Sequence, residues 1–324
     1  MDWILTFTGF LLIGSVLFDF LFTTLSGNGA ASISTNVNAW IANLYQPRSD
    51  NGRRWIGAIQ LISTLLAWII LFFIGGLLLF SGFDEMVINS TTKEAANFPE
   101  RIYFTGYVLS TLGTGDYVPG DNFSRYCTIT YAILGFFVLT TAITYIINVM
   151  GAANNKKNLA AFISSMGNTP LELYDYFTTT PDAKLFTDRV DNIVTLINTH
   201  SSYHICYPIV HYFLSDKEAF SAAAQLASFH EATAAMRITY RDNEEVTAHL
   251  ERIDRVRGRF LEIARMSEQQ LTGNEDLLRL RHKWTSRVPE MAGFANAIDE
   301  NEKRLGALLQ QSGRTWREVY EGID

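Results

Sequence analysis

An all-α membrane protein is what the sequence predicts: three transmembrane helices, a short re-entrant helix ahead of the third, and an all-helical water-soluble domain behind it. Three observations predict it. Charge is segregated, with six basic and nine acidic side chains in residues 1–150 against twenty and twenty-four in residues 151–324. Three apolar runs are long enough to cross about 30 Å of hydrocarbon, which takes roughly 20 helical residues. In the polar half, apolar residues recur at helical spacing, with no alternating strand pattern. Residues 1–55 then hold the first span and a linker, 56–150 a two-span segment, and 151–324 the soluble domain.

The first span is WILTFTGFLLIGSVLFDFLFTTL, residues 3–25. No basic region precedes it and its apolar stretch is too long for a signal peptide, so it is expected to stay in the membrane. It lacks regularly spaced Arg or Lys, which excludes a voltage sensor of the arginine-rich type. Its one internal charge, Asp19, lies toward the predicted inner end, within reach of interfacial water or of Arg53 or Arg54. SISTNVNAWIANLYQPRSD, residues 32–50, mixes apolar and polar residues at helical spacing. It reads as an interfacial helix on membrane lipid, anchored by Trp40 and Tyr45.

The second span covers residues 56–80 and the third residues 127–150. Arg48, Arg53 and Arg54 precede the second, and Lys156 and Lys157 follow the third. Basic flanks favour the cytoplasm, so an even number of crossings must separate the two clusters. RIYFTGYVLS, residues 101–110, is too short to span and must dip in and return on the outer side, where Asp84, Glu85, Glu94 and Glu100 lie. The amino terminus is then outside and the soluble half cytoplasmic.

Next comes TLGTGDYVPG, residues 111–120. Irregular backbone at membrane depth is tolerated only where protein buries it or where it lines a watery path. Glycines allow positive φ, so successive carbonyls can point the same way. A row of carbonyl oxygens can replace the water shell of a cation, with the Thr111 hydroxyl at its inner end. The short helix before it would aim its negative end at that path.

Span, short helix, STLGTGD and span together resemble the pore domain of the potassium channel superfamily, in its prokaryotic two-span form with an extra span in front. The resemblance covers about residues 56–150. Thr111, Leu112, Gly113, Thr114, Gly115 and Asp116 match the family's T-V-G-Y-G-D selectivity filter, and Gly135 falls where the inner helix commonly carries its hinge. It implies potassium ions as the permeant species, a homotetramer, no cofactor and a bacterial inner-membrane location. Thr114 stands where the family has an aromatic that braces the filter, and the short helix offers Tyr103, Phe104 and Tyr107 instead of Trp. Tyr107, or Tyr117 beyond Asp116, is expected to supply the brace. Discrimination against sodium is expected to be weaker than with tyrosine at position 114. One filter per chain calls for four chains around an axis. One face of the third span, with Phe136, Leu139, Thr140, Ile143 and Ile147, is expected to line the pore. Ile143 and Ile147 would form a hydrophobic gate, unless they pack on the second span.

In the soluble half, Thr169 and Pro170 mark a helix start. Leu185, Val190, Ile193, Val194 and Ile197 form a helical stripe. An Ala-rich helix follows in residues 216–242, then a long charged one ending near Gly273, then two or three shorter ones. No Gly-rich turn follows a strand, which excludes a dinucleotide-binding domain, and the charge balance gives no footprint for nucleic acid. The two cysteines, Cys127 and Cys206, make no disulfide framework. YPIVHYF, residues 207–213, resembles segments of bacterial two-span channel proteins. His200 and His204 stand four apart, with Cys206 and His211 nearby, a spacing that can ligate zinc. Tyr207-Pro208 breaks the helix there, so a packed elbow is expected and no metal is assigned. No nucleophile–base–acid arrangement is present, and no enzyme is expected. Two readings remain: a cation channel assembled or gated by its helical domain, and a membrane-anchored sensor or scaffold with a degenerate pore.

Overall fold

The computed structural model describes residues 2–44, 55–179, 183–264, 275–285 and 298–321. Tyr45, Arg48, Arg53, Arg54 and Gly273 lie outside them, as does the side chain of Leu185. The chain is mostly helical and forms two compact units, one of Met1–Leu44 with Ala58–Val149, the other of Tyr45–Gly57 with Met150–Asp324.

In the first unit α1 spans Asp2–Leu25, α2 Ser32–Leu44, α3 Ile56–Phe80, α4 Phe98–Leu109 and α5 Asn122–Ser164, the last continuing into the second unit. α1, α3 and α5 are each long and apolar enough to cross a membrane. α4, with 12 residues, is not. Gly9 and Gly75 bring α1 and α3 backbone to backbone, since a Cβ on Gly9 would meet Leu79 N at 2.6 Å and Gly75 O at 2.7 Å. Without a hydrophobic driving force between helices in lipid, such close approach is a main source of packing. Aromatic rings join the remaining elements. Trp68 meets Phe20 edge-on at 5.0 Å, Phe72 stacks on Tyr131 at 5.0 Å, and Phe80 meets Phe104 at 5.0 Å. Each such pair contributes about 0.5–1.5 kcal/mol beyond area burial.

Asp19 is 2% exposed and caps α2 from outside that helix. Its carboxylate accepts from Ile33 N at 2.7 Å, Ser34 N at 3.2 Å, Ser34 Oγ at 2.6 Å and Trp68 Nε1 at 2.9 Å. A negative group at a helix N-terminus satisfies orphan amides and complements the dipole. The buried Asp19 side chain is structural: it joins α1, α2 and α3.

The structure adds a feature that the sequence pattern did not announce. Ile88–Asn89 (β1) and Tyr117–Val118 (β2) form a short antiparallel ladder, Ile88 opposite Val118 and Asn89 opposite Tyr117. Two residues per strand are too few to leave an alternating pattern.

The second unit is all-helical among the described residues: α6 Pro170–Thr179, α7 Ala183–Cys206, α8 Ala222–Thr239, α9 Glu244–Ile263, α10 Glu275–Thr285, α11 Glu300–Gln311 and α12 Trp316–Val319. Thr169 Oγ1 accepts from Glu172 N at 3.2 Å and Glu172 reaches back to Asn168 N at 2.7 Å, the capping that the Thr-Pro start predicts. Val190, Ile193, Val194 and Ile197 are buried along one face of α7. α8 is buried on nearly every side, and its alanines let neighbouring helices close in. Its helix begins six residues later than the Ala-rich segment, because Ser221 caps it, accepting from Ala224 N at 3.4 Å.

Across α8, α10 and α11 runs a buried ionic network. Arg281 donates to Glu231 at 2.6 and 2.8 Å and to Glu302 at 2.5 Å, and Tyr320 Oη donates to Glu231. Burial alone would raise the Glu302 carboxyl, yet the hydrogen bonds from His230 and Arg281 hold it at about 2. Among the described residues, His230, Asp299 and Glu302 are the group whose ligand atoms converge as a metal would need. Glu302 is committed to Arg281 and Asp299 caps α11, accepting from Glu302 N at 2.8 Å, so this cluster reads as structural.

Candidate functional site

α4 begins three residues earlier than its apolar pattern suggests. Asn97 accepts from Glu100 N at 3.1 Å, and Glu100 returns a bond to Asn97 N at 2.7 Å. This reciprocal box, with Pro99 in the first turn, fixes the start of the helix. Arg101, 6% exposed, fixes its position. Its guanidinium donates to Phe80 O at 2.7 Å, Phe83 O at 2.9 Å and Ala96 O at 2.9 Å. Phe80 ends α3, so a cation sits on the negative end of that helix and ties α4 to it. The apolar pattern does not single out Arg101. Its signal is a basic residue in the first turn of α4, where the dipole disfavours it unless another partner is present.

α4 ends at Leu109, and the loop that follows has an unusual backbone. Thr111 has φ 58°, Gly113 φ 60° and Gly115 φ 81°, so every second residue has positive φ. A regular strand, in which φ is negative throughout, does not have this pattern, and the two glycines adopt it at no steric cost. For Thr111, a β-branched residue, this conformation costs on the order of 1–3 kcal/mol, which the surrounding contacts must offset. Thr111, Leu112, Gly113, Thr114, Gly115 and Asp116 are all exposed, and a Cβ on Gly113 or Gly115 would meet nothing within 4 Å.

Behind the loop stand three tyrosines. Tyr103 Oη donates to Asp116 Oδ2 at 3.2 Å, and Tyr107 Oη donates to the carbonyl of Tyr117. Tyr103 also lies 5.3 Å from Tyr107 and 6.2 Å from Tyr117, ring to ring. Ser90 N donates to Asp116 O at 2.9 Å, so the β1–β2 ladder holds the far end of the loop. Tyr103, Tyr107 and Tyr117, all three named from the sequence, stand close to one another here.

Gly135 is buried on α5 against the end of α4: a Cβ would meet Leu109 Cδ1 at 2.8 Å and Leu109 O at 3.2 Å. On the same helix Phe136 is 57% exposed, Leu139 37%, Ile143 60% and Ile147 65%, with Thr140 exposed between them. Within the chain, then, Ile143 and Ile147 do not pack on α3. Tyr131, Val138, Ala142, Tyr145 and Val149 take the buried face instead.

Of the histidines, the structure gathers His200, His204 and His211 around Lys156 in the helical unit and leaves Cys206 off the wall of their cavity.

Residues 59–152 match the family described as Ion channel. Over 330 aligned residues the chain is 27% identical to a protein of Bacillus subtilis (strain 168) described as the uncharacterized membrane protein YdjJ, covering 95% of this chain and 94% of that one. No solved structure matches. Residues 59–152, less than a third of the chain, are thus similar to the ion channel family's domain, and the long apolar helices α3 and α5 fall largely within that stretch.

Proposed function

We propose that four copies of the chain form a cation channel that conducts potassium through a filter of backbone carbonyls from Thr111 to Gly115. The observation that carries this reading is the alternation of positive φ at Thr111, Gly113 and Gly115, in an exposed stretch directly after a capped short helix. Exposure on one chain suits a loop whose function is to face its copies around an axis. α4 is then re-entrant, its C-terminal carbonyls giving a negative field toward the ion, and carbonyl rings replace the water that the ion sheds. The Thr111 hydroxyl adds oxygens at the inner end.

Phe136, Leu139, Thr140, Ile143 and Ile147 line the path below the filter, where the two isoleucines close it by dewetting. Gly135 either bends the inner helix or seats α4 against it. The amino terminus lies outside and the helical domain in the cytoplasm, where it assembles or gates the pore. Thr114 keeps a carbonyl for the outer ring but lacks aromatic bulk. Tyr107, Tyr117 and Tyr103 brace the loop from behind in its place, and discrimination against sodium is weaker than with an aromatic at position 114.

Reconstitution in liposomes with potassium, sodium and caesium gradients tests the reading. Potassium flux is the expected result. Absence of cation flux under every condition of voltage, pH and ligand would leave a membrane scaffold with a closed, degenerate pore.

A further inference from the structure

The helical unit holds a cavity of about 470 Å³, counting the space open to solvent. Lys156, His200, His204 and His211 stand on its wall with Phe213 and Phe260, and no carboxylate lines it. Lys156 Nζ donates to Val210 O at 3.2 Å and His211 O at 3.0 Å. An ammonium has three N–H groups, so one is left for a ligand. Among the described residues Lys156 has no carboxylate within ion-pair distance. His200 is 2% exposed, and its Nδ1 has no hydrogen-bond partner. His204 Nε2 and His211 Nδ1 lie 3.5 Å apart.

A half-buried cation without a counter-charge, next to imidazoles and a buried nitrogen without a partner, is unfavourable unless something completes it. The missing group must carry negative charge and accept hydrogen bonds. A divalent metal fits less well: it would sit beside the ammonium, with no carboxylate to neutralise it and with Cys206 off the wall. We propose that this cavity binds a small oxyanion, a phosphate or a carboxylate, through Lys156 and the three histidines. The phenyl rings on the wall lower the local polarity and so strengthen that contact. Lys156 lies on α5, nine residues after Ile147, so the bound anion acts on the helix that lines the pore. This regulatory part rests on the channel reading, whereas the binding part does not.

The test is isothermal titration of sodium phosphate, and separately sodium acetate, into the full chain in neutral detergent. Saturable binding is expected, weakened about tenfold by Lys156→Gln and several-fold by His200→Gln. Should Lys156→Gln fail to assemble, His200→Gln and His211→Gln carry the test. No saturable binding of either anion, or binding that these variants leave unchanged, overturns the proposal. Nanodiscs with and without phosphatidylglycerol separate the sources. If free phosphate binds only where the anionic lipid is absent, the oxyanion is a lipid headgroup; if it binds in both, the ligand is soluble, and either result upholds the oxyanion site. In liposomes, the occupying anion should change potassium flux at least about twofold in wild type and not in Lys156→Gln. Binding without a change in flux overturns the regulatory part. Absence of any flux overturns the channel reading and leaves the binding result standing.

Discussion

At the scale of single residues, the loop depends on hydrogen bonds from the tyrosines behind it. Tyr107→Phe removes the bond to the Tyr117 carbonyl while keeping the ring, a loss of about 1 kcal/mol. Bi-ionic reversal potentials should show a further fall in discrimination between potassium and sodium, and Thr114→Tyr should raise it above wild type. If Thr114→Tyr leaves selectivity unchanged, the tyrosines already brace the loop fully. Asp19 offers a second test. Asp19→Ala strands the Ile33 and Ser34 amides and the Trp68 indole in a buried place, at a cost of at least about 2 kcal/mol. Thermal melts in detergent should show a clear loss, and Asp19→Asn, which keeps an acceptor, a smaller one. Equal melts for Asp19→Ala and wild type would show that the cap contributes little. An unpaired carboxylate in an apolar run was visible in the sequence, but its partners were not, because they lie 14, 15 and 49 residues away.

At the scale of elements, α4 and α5 meet at Gly135. A methyl group there lies 2.8 Å from Leu109 Cδ1 and 3.2 Å from Leu109 O, closer than neighbours allow without a shift. Gly135→Ala tests whether this glycine seats α4 or bends α5. Seating predicts a lower yield of assembled protein, seen by size-exclusion chromatography, with gating of the surviving channels unchanged. Bending predicts normal yield and a shifted open–closed balance in flux, since alanine stiffens a helix by about 1 kcal/mol. The 3.6-residue period made the buried face of α7 legible, and on α5 it picked out a face that is exposed within the chain. It could not announce the β1–β2 ladder, the real start of α4 at its cap, or the role of Arg101, whose partners are carbonyls of α3 and of the loop after it.

At the scale of the whole molecule, two further outcomes are expected. On the proposed channel reading four copies close a ring of these loops, so protein in mild detergent should have the mass of four chains, and a conducting monomer or dimer would contradict the assembly. The helical domain should also be sensitive to acid. Burial first, and then the Lys156 charge, lower His204 to about 4 and His211 to about 3, and lower His200 well below its usual value. Unfolded, these groups bind protons near pH 6.5, so as pH falls below that value the unfolded state takes up more protons than the folded one. The neutral histidines' contribution is complete above about pH 6.5 and is lost as pH falls toward 3–4, on the order of a few kcal/mol. Melting temperature followed from pH 7.5 to 4.5 should fall, and a His204→Gln, His211→Gln double variant should fall less steeply. Parallel slopes for the two proteins would exclude the histidine cluster as the cause.

What the sequence by itself determined is what depends on short range. Three runs of more than 20 mostly apolar residues are long and apolar enough to cross a membrane wherever they stand, because the bilayer sets that length. The Thr-x-Gly-x-Gly-Asp loop carries its conformational freedom in its own glycines, and the alternation of positive φ falls on residues 111, 113 and 115 within it. The helical stripe of α7 and the start of α6 at Thr169 and Pro170 are likewise local patterns. Only the tertiary structure decided that Asp19 caps α2, that Arg101 sits on the end of α3, that Tyr103, Tyr107 and Tyr117 stand together, and that Lys156 meets three histidines from elsewhere in the chain. Each of these joins polar groups that must find partners once buried, and which partner is near is fixed by the path of the chain, not by the residues next in line.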